Sequence, residues 1–345
     1  MIILSIDTSC DETSVAITDG RKVLSNVIYS QVLIHKKWGG VVPSLAKRAH
    51  EEKIDFVVEE VLKKFSMKGI DYIAVTQGPG LAVALEVGIK KAKELAKQYH
   101  KKLISVNNLE GHIYSAFVQN SQGNPKHGFN FPYLVLIVSG GHTSLVIFKD
   151  HLKYEVIGET IDDAAGEALD KAAKLLGLGY PGGPVIERLA KEVNNEDFHH
   201  FPRPMLKSND LNFSFSGLKT SFYYFLKKRP QAYNISTAAV SLGQLASSFQ
   251  EAVFDTIIKK TEKTIKQTLI KRLIVVGGVS ANLYLRKKMR ELVKKYQGEV
   301  MPPSFKYLTG DNAVMIGVVA SYKAERKIFV KDIEKLDRIP RMPLV

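Results

Sequence analysis

The chain has 345 residues and a formal net charge of +14, from 49 lysines and arginines against 35 aspartates and glutamates. With 45% hydrophobic and 24% charged residues, it is neither a disordered nor a fibrous chain, and its length predicts about two globular domains. Its apolar runs fall short of the roughly 18 residues that span a bilayer, so we expect no membrane segment. The first residues do not resemble a signal peptide, and the single cysteine, Cys10, excludes an internal disulfide; both features favour the cytoplasm.

The first predicted element is a β-hairpin. Residues 2–6 form an apolar run, and residues 13–19 alternate between apolar and polar side chains after a short polar turn. A strand at 72–76, a helix at 81–98 and a strand at 103–106 follow. This alternation is typical of an α/β sheet.

The hairpin pattern occurs a second time, at residues 133–138 and 143–147. After it we predict a helix at 163–176, an irregular stretch, a helical region at 237–269 and a strand at 273–276. The repeat therefore predicts a duplicated α/β protein with a cleft between its two domains.

Both hairpin turns are rich in small and hydroxyl-bearing residues. Residues 7–13 read DTSCDET, and residues 138–143 read VSGGHT. Such turns expose backbone N–H groups and can hold an anion, although a single turn of this kind is usually only a hairpin. Their repetition favours a phosphate site between the domains.

Glycines mark two further segments. Gly277 and Gly278 follow the strand at 273–276, where paired glycines let a flat adenine approach the backbone, although a plain connection to a helix fits as well. Residues 177–182 match the dinucleotide pattern G-x-G-x-x-G, but they follow a helix rather than a strand, so we reject that reading. The chain has no G-x-x-x-x-G-K-[ST] sequence, which excludes a P-loop.

The helix at 163–176 places Asp163, Glu167, Asp170 and Lys174 on one polar face. A solvated face is the ordinary interpretation. Because neighbouring carboxylates repel each other, ribose hydroxyls or a cation are alternatives, and Asp170 is the strongest candidate.

Basic residues are concentrated at 90–102, 259–272 and 286–295. Each group alone is typical of a solvated helix face. Together they favour a polyanionic partner such as RNA. His112 and Asp311 on their own indicate no metal, and the absence of H-E-x-x-H argues against a metalloprotease.

Eight segments occur in the order that one family has. They are residues 7–14, 108–112, 138–143, 162–171, 180–184, 213–220, 277–282 and 311–312. From residue 1 to about residue 320, the chain resembles the TsaD family, the catalytic subunit of tRNA threonylcarbamoyladenosine synthesis, once named a glycoprotease. The resemblance implies a two-domain fold of the actin and sugar-kinase (ASKHA) type. The implied domains are 1–126 with 312–345, and 127–311, the second carrying most of the nucleotide site.

The resemblance also implies an activity. The family transfers a threonylcarbamoyl group from threonylcarbamoyl-AMP to the exocyclic amine of the adenosine 3′ of the anticodon, in tRNAs that read codons beginning with A. AMP is the leaving group. The implied partners are tRNA, a paralogous non-catalytic TsaB-type subunit and a TsaE-type ATPase, without a membrane.

The family's site residues carry over to matching positions. Substrate binding is implied for Ile137, Val138, Ser139, Gly140 and Gly141 at the acyl-phosphate, for Asp170, Gly183 and Glu187 at the ribose, and for Gly277, Gly278 and Asn282 at the adenine. The implied catalytic residues are Asp11, Glu12 and Ser139.

His112 and Asp311 match two metal ligands of the family, but the third position differs. The family motif is His-x-Glu-Gly-His, and this chain has Asn108 in place of the first histidine. The family binds Fe²⁺ or Zn²⁺, whereas an amide oxygen suits Mg²⁺ or Ca²⁺ better.

Two other functions stay open from the sequence. A non-catalytic paralogue that scaffolds the modification complex is supported by Asn108. A kinase or ATPase of the same fold is supported by the carboxylates of Asp11 and Glu12.

Overall fold

The computed structural model describes residues 1–228 and 241–344, which form two five-stranded sheets. The first sheet, in the spatial order β3, β2, β1, β4, β5, consists of β1 (Ile2–Asp7), β2 (Glu12–Asp19), β3 (Lys22–Ser30), β4 (Tyr72–Gly78) and β5 (Lys102–Asn107). The second, in the order β10, β9, β6, β7, β8, consists of β6 (Tyr133–Val138), β7 (Thr143–Asp150), β8 (Lys153–Glu159), β9 (Arg272–Val276) and β10 (Glu299–Met301).

Helices connect and cover these strands. In the described ranges they are α1 (Val32–Lys36), α2 (Pro43–Leu62), α3 (Ala82–Gln98), α4 (Asn108–Ser115), α5 (Ala165–Leu175), α6 (Gly182–Glu192), α7 (Ser216–Lys227), α8 (Leu242–Thr268), α9 (Leu283–Lys294) and α10 (Ala313–Glu325). None of these helices combines the length and apolar character needed to cross a membrane.

The two sheets have the same topology. Strands β1, β2 and β3 form an antiparallel meander, with β4 parallel to β1 and β5 parallel to β4. Strands β6, β7 and β8 repeat the meander, and β9 and β10 repeat the parallel pair. The predicted duplicated α/β fold is therefore confirmed. The sequence pattern missed β3, β8 and β10 because none of them has a well-buried face, and such strands show little apolar periodicity.

The prediction of an irregular stretch after the second hairpin and the helix that follows it is wrong, because this stretch contains α6 and α7. The predicted helix at 163–176 is α5, which begins at Ala165 because the Ala165 N–H donates to Thr143 Oγ1 in the hairpin. Helix α8 lies within the range predicted at 237–269, of which residues 237–240 lie outside the described residues.

The core positions the cleft. One apolar cluster packs α2 and α3 on the first sheet, and another packs helices α5 to α9 on the second. A third joins Val106, Ile113 and Ile316 to Ile137 and Val276, so the two halves share an apolar contact below the hairpin turns. The domain bounds 1–126 with 312–345, and 127–311, stay a prediction.

Candidate functional site

A cavity of about 300 Å³ lies where the two hairpin turns meet. Both turns follow the carboxyl ends of central strands, β1 and β6, which is where open α/β sheets bind their ligands. Most of the residues that the sequence analysis selected line this cavity, namely Asp11, Glu12, His112, Ser139, Gly140, Asp170, Gly183, Glu187, Gly278, Asn282 and Asp311.

The first turn concentrates buried acid groups. Asp7 ends β1, and its Oδ1 accepts hydrogen bonds from Thr76 Oγ1 at 2.8 Å and from the Ser9 N–H at 3.2 Å. Its buried Oδ2 has no partner among the described residues. Burial, together with the charge of Asp311, raises the pKa of Asp7 from 3.8 to about 7. Burial and the neighbouring Asp11 likewise raise the pKa of Glu12 well above its usual value.

A buried histidine holds this turn in place. His50 Nε2 lies 3.1 Å from the Cys10 carbonyl oxygen, and its Nδ1 lies 2.7 Å from Thr13 Oγ1. Burial lowers the pKa of His50, so the neutral ring is favoured. The His50 side chain therefore holds the turn at both Cys10 and Thr13. The sequence analysis did not select this histidine.

The second turn is tight and backed by a glycine. The Ser139 N–H donates to the His142 carbonyl at 2.8 Å, and the His142 N–H donates to Ser139 Oγ at 3.1 Å. Gly277 has a φ of +91°, and a Cβ there would lie 2.4 Å from the Val138 carbonyl oxygen. Only glycine allows β9 to end so close to the turn.

Not every residue of this segment reaches the cavity. Val138 is fully buried in β6, and Ile137 lines a different cavity, which the C-terminal residues 340–344 help to form. Gly141 is exposed at the tip of the turn. Of the predicted acyl-phosphate segment, the structure thus brings Ser139 and Gly140 to the main cavity.

Asp170 links two helices across the cavity wall. Its Oδ1 accepts hydrogen bonds from the backbone N–H groups of Gly182 at 2.7 Å and Gly183 at 3.2 Å. These are orphan donors of the first turn of α6, so the carboxylate satisfies the helix terminus. A Cβ on Gly182 would lie 2.8 Å from the Asp170 backbone, which makes this approach a glycine-only contact.

The other two carboxylates of the predicted polar face, one just before α5 and one on it, have partners within the chain. Asp163 pairs with Lys171 at 2.8 Å and Lys219 at 3.2 Å, and Glu167 pairs with Lys171 at 2.8 Å. Lysines of the chain therefore compensate these two carboxylates. Asp170 is the one of the three that lines the cavity.

Asn282 and Glu187 form the opposite wall. Asn282 Oδ1 accepts from the Leu285 N–H at 2.9 Å at the start of α9, and its Nδ2 donates to Gln250 Oε1 at 2.9 Å. Glu187 Oε1 accepts from the Leu283 N–H at 2.7 Å. Both side chains are held by the protein, so this wall is pre-formed.

The segment NNLEGH, residues 107–112, forms the N-cap and the first turn of α4. Asn107 Oδ1 accepts from the Leu109 N–H at 2.8 Å, and Glu110 Oε2 accepts from the Asn107 N–H at 3.4 Å, which forms a capping box. Capping fixes the first turn of the helix and leaves Asn108 and His112, one turn apart, on the face toward Asp311.

These three side chains meet. His112 Nε2 lies 3.1 Å from Asp311 Oδ1, and Asn108 Nδ2 donates to the same oxygen at 3.2 Å and to Ser9 Oγ at 3.0 Å. Burial opposes ionisation of Asp311, but the hydrogen bonds from His112 and Asn108, together with the charges of His112 and His142, outweigh it and lower the pKa of Asp311.

The donor set has features that fit a cation. The buried Nδ1 of His112 and Oδ2 of Asp7 have no hydrogen-bond partner among the described residues, and four carboxylates share the region, those of Asp7, Asp11, Glu12 and Asp311. However, the described residues contain no group of three or more His, Cys, Asp or Glu side chains arranged to hold a metal. The third neighbour of His112 and Asp311 is the amide of Asn108, which presents its nitrogen.

The basic segments make many contacts within the chain. Lys91 and Lys97 bind carboxylates, Lys260 is buried against Asp210, and Lys263 donates to backbone carbonyls. An RNA-binding role for the three segments stays a prediction.

The duplicated α/β fold, with a cavity between the turns of its two halves, is a fold of the actin and sugar-kinase type. A HypF structure from T. kodakarensis has this fold in common with the chain: the TM-score is 0.63 at 13% identity, over 96% of this chain and 49% of that one.

Sequence comparison identifies the family within this class. The family model described as TsaD, tRNA N6-adenosine threonylcarbamoyltransferase, matches residues 22–318. Proteins of this name from Thermosipho africanus and Phytoplasma australiense are 44% and 47% identical to the chain, over 100% and 94% of both lengths. The chain belongs to the TsaD family and is a tRNA-modifying transferase. Its predicted family and enzymatic function are thereby confirmed, which disfavours the scaffold and kinase alternatives.

Proposed function

We propose that the cavity binds threonylcarbamoyl-AMP, with the acyl-phosphate against the second hairpin turn. The observation that supports this is the meeting of both turns on one cavity. The backbone N–H group of Gly140, which lines the cavity, makes no hydrogen bond to another described residue, so it is available to an anion. Asp170, Gly183 and Glu187 would face the ribose.

The adenine would lie beside Gly278 and Asn282, with Gly277 holding the loop against β6. Because the Asn282 amide already caps α9 and binds Gln250, it would shape this pocket rather than supply a free donor. A Cβ on Gly278 would meet no atom within 4 Å, so the space beside this residue has room for a ring.

The transfer forms a bond between N6 of adenosine and the carbamoyl carbon. The bond from that carbon to the phosphate oxygen breaks, so AMP leaves with the electron pair and the amine loses a proton. We assign the acceptance of this proton to the first turn, where Glu12 has a raised pKa and is a stronger base than an ordinary carboxylate, with Asp11 beside it. Ser139 lies across the cavity and would orient the acyl-phosphate.

We further propose that His112 and Asp311 hold a divalent metal ion with Asn108 next to them. His112 Nε2 and Asp311 Oδ1 lie 3.1 Å apart, close enough to ligate one ion, and the cluster of carboxylates around them also supports this. Such an ion would supply positive charge close to the acyl-phosphate. By family resemblance it is Fe²⁺ or Zn²⁺; if the amide of Asn108 turns its oxygen inward, the set also suits Mg²⁺ or Ca²⁺.

The finer details of the substrate and partners rest on the resemblance. We propose the adenosine 3′ of the anticodon, in tRNAs reading codons that begin with A, as the acceptor. A TsaB-type paralogue and a TsaE-type ATPase are the proposed protein partners. Because cytoplasmic tRNA is the substrate, we propose a cytoplasmic location.

A single-turnover assay tests the proposal. Full-length chain is mixed with threonylcarbamoyl-AMP and unmodified tRNA, and release of AMP and modification of the tRNA are followed together. We expect Glu12→Gln and Ser139→Ala to slow transfer by about a hundredfold. The control is Glu192→Gln, on the exposed end of α6. Transfer at the wild-type rate in both variants would refute the assigned roles.

A further inference from the structure

A second groove lies behind the cavity, on the other side of α5. It has a volume of about 370 Å³ and is lined by Lys171, Lys174, Lys219, Tyr223 and Tyr224, among others. Helix α5 forms the wall between the two spaces, since Leu169 and Asp170 line the main cavity while Lys171 and Lys174 line the groove. A helix with side chains is roughly 10 Å across, so a bound chain could reach both spaces.

The groove presents aromatic rings to solvent. Tyr223 and Tyr224 are 45% and 54% exposed, and their rings lie 5.5 Å apart at an interplanar angle of 67°. They follow Phe222, which anchors α7 in the core. These two tyrosines contact each other edge to face and remain about half exposed, so both offer ring surface for stacking.

The three lysines of the groove differ in whether a carboxylate compensates their charge. Asp163 pairs with Lys171 and Lys219, and Glu167 also pairs with Lys171, so two carboxylates compensate the charges of these two lysines. Lys174 makes no ion pair within the described ranges. A Cβ on Gly39 would lie 3.8 Å from Lys174 Cε, so Lys174 lies beside a loop from the other half of the chain.

That loop carries the only tryptophan of the chain. Trp38 precedes Gly39, is 61% exposed and follows Lys36 and Lys37, which are also exposed. Trp38, Lys174, Tyr223 and Tyr224 are named the rim surface here. It combines a free cation with three exposed rings contributed by both halves.

We propose that the rim surface binds a single-stranded segment of the tRNA next to the acceptor adenosine. Exposed aromatic rings stack with unpaired bases of any sequence, and a lysine between them pairs with the backbone phosphate. The proposal rests on the transfer to tRNA described above, and adds where the RNA approaches the cleft.

Two of the three basic segments of the sequence, 90–102 and 259–272, are less suited to this role. Helix α3 connects the parallel strands β4 and β5, so its C-terminal end, with Lys97 and Lys101, lies at the sheet edge opposite the cleft. Helix α8 leads into β9 in the same way, so its basic end is also remote from the cavity. The rim surface is continuous with the cavity through α5.

Affinity for unmodified tRNA, measured by fluorescence anisotropy with the full-length chain, tests the proposal. Tyr224→Ser, which removes a stacking ring, should weaken binding about five- to hundredfold, whereas Tyr224→Phe should retain it. Lys174→Glu should weaken binding and flatten its salt dependence by about 0.7 in the log–log slope. Tyr99→Ser and Lys331→Glu are matched controls, since both residues are exposed and near the edge opposite the cleft.

Trp38 provides a second readout. Stacking of a base should quench its fluorescence when tRNA is added, and Trp38→Phe should remove the signal. Binding of threonylcarbamoyl-AMP by calorimetry should be unchanged in the Tyr224 and Lys174 variants, so failure of the cavity proposal is measured separately. Unchanged tRNA affinity in all rim variants, or absent quenching in a chain that binds tRNA, would overturn the inference. Normal tRNA affinity with lost assembly onto another protein would also overturn it, in favour of a protein interface.

Discussion

The Oδ1 atom of Asp170 lies 2.7 Å from the backbone nitrogen of Gly182, so one carboxylate closes the cavity wall and also caps α6. The sequence placed Asp170 on a polar helix face, which indicated a binding role alone. Its position between α5 and α6 means that substitution affects the site and the wall together.

Asp170→Ala should therefore weaken binding of threonylcarbamoyl-AMP by tenfold or more and lower the free energy of unfolding by about 1 kcal/mol, through loss of the helix cap. Asp170→Asn keeps an oxygen acceptor for Gly182 and should retain most of the stability. Calorimetry and urea denaturation measure the two effects, with Glu192→Gln as a control. Asp170→Ala with normal ligand affinity would contradict a direct role in binding.

Asp7 should make stability depend on pH. In the folded chain its pKa is about 7, whereas in the unfolded chain it is near 3.8, so the folded state holds the extra proton between these values. Stability contributed by this group is present at low pH and decreases as pH rises toward 7. Asp7→Asn cannot titrate and still accepts from Thr76, so the variant should gain stability relative to wild type from about pH 4 to 7.

Urea denaturation in the presence of a chelator, across that pH range, measures the difference. Asp332→Asn, at an exposed site, is the control for a general change of charge. A difference between Asp7→Asn and wild type that is constant with pH would show that Asp7 is ionised throughout.

Restoring a histidine should strengthen the metal site. The Asn108 amide presents its nitrogen to Asp311, and a neutral amide is a poorer ligand for Zn²⁺ or Fe²⁺ than imidazole. We expect Asn108→His to tighten Zn²⁺ binding by about tenfold or more, and His112→Ala to abolish it. Titration against a coloured chelator and metal content by mass spectrometry measure both, alongside the transfer rate. Full activity of thoroughly metal-stripped wild type, unaltered by either substitution, would exclude a role for the metal.

Binding of tRNA should be largely electrostatic. The net charge of +14 predicts that affinity falls by tenfold or more between about 50 and 200 mM salt. Reversing the charge of Lys287 and Lys294 on α9 tests the basic segments against the rim surface. An affinity that is constant over this range of salt would contradict both surfaces.

The sequence alone determined the duplicated fold, the two hairpin turns and the family, because apolar periodicity and local motifs depend only on residues that are close together in the chain. The family resemblance also selected His112 and Asp311, whose side chains lie 3.1 Å apart. Only the tertiary structure decided which of the selected residues share a cavity: Ser139 and Gly140 reach it, whereas Ile137 faces another cavity. The direction of a side chain depends on packing between segments far apart in the chain.

Packing between distant segments also determines the ion pairs and the pKa values. Composition showed many uncompensated lysines, but ion pairs such as Lys97 with Glu334 join residues that are distant in sequence. The raised pKa of Asp7 also follows from burial and from Asp311, more than 300 residues further along the chain. Burial and long-range contacts arise only when the chain folds, so no local pattern could have predicted them.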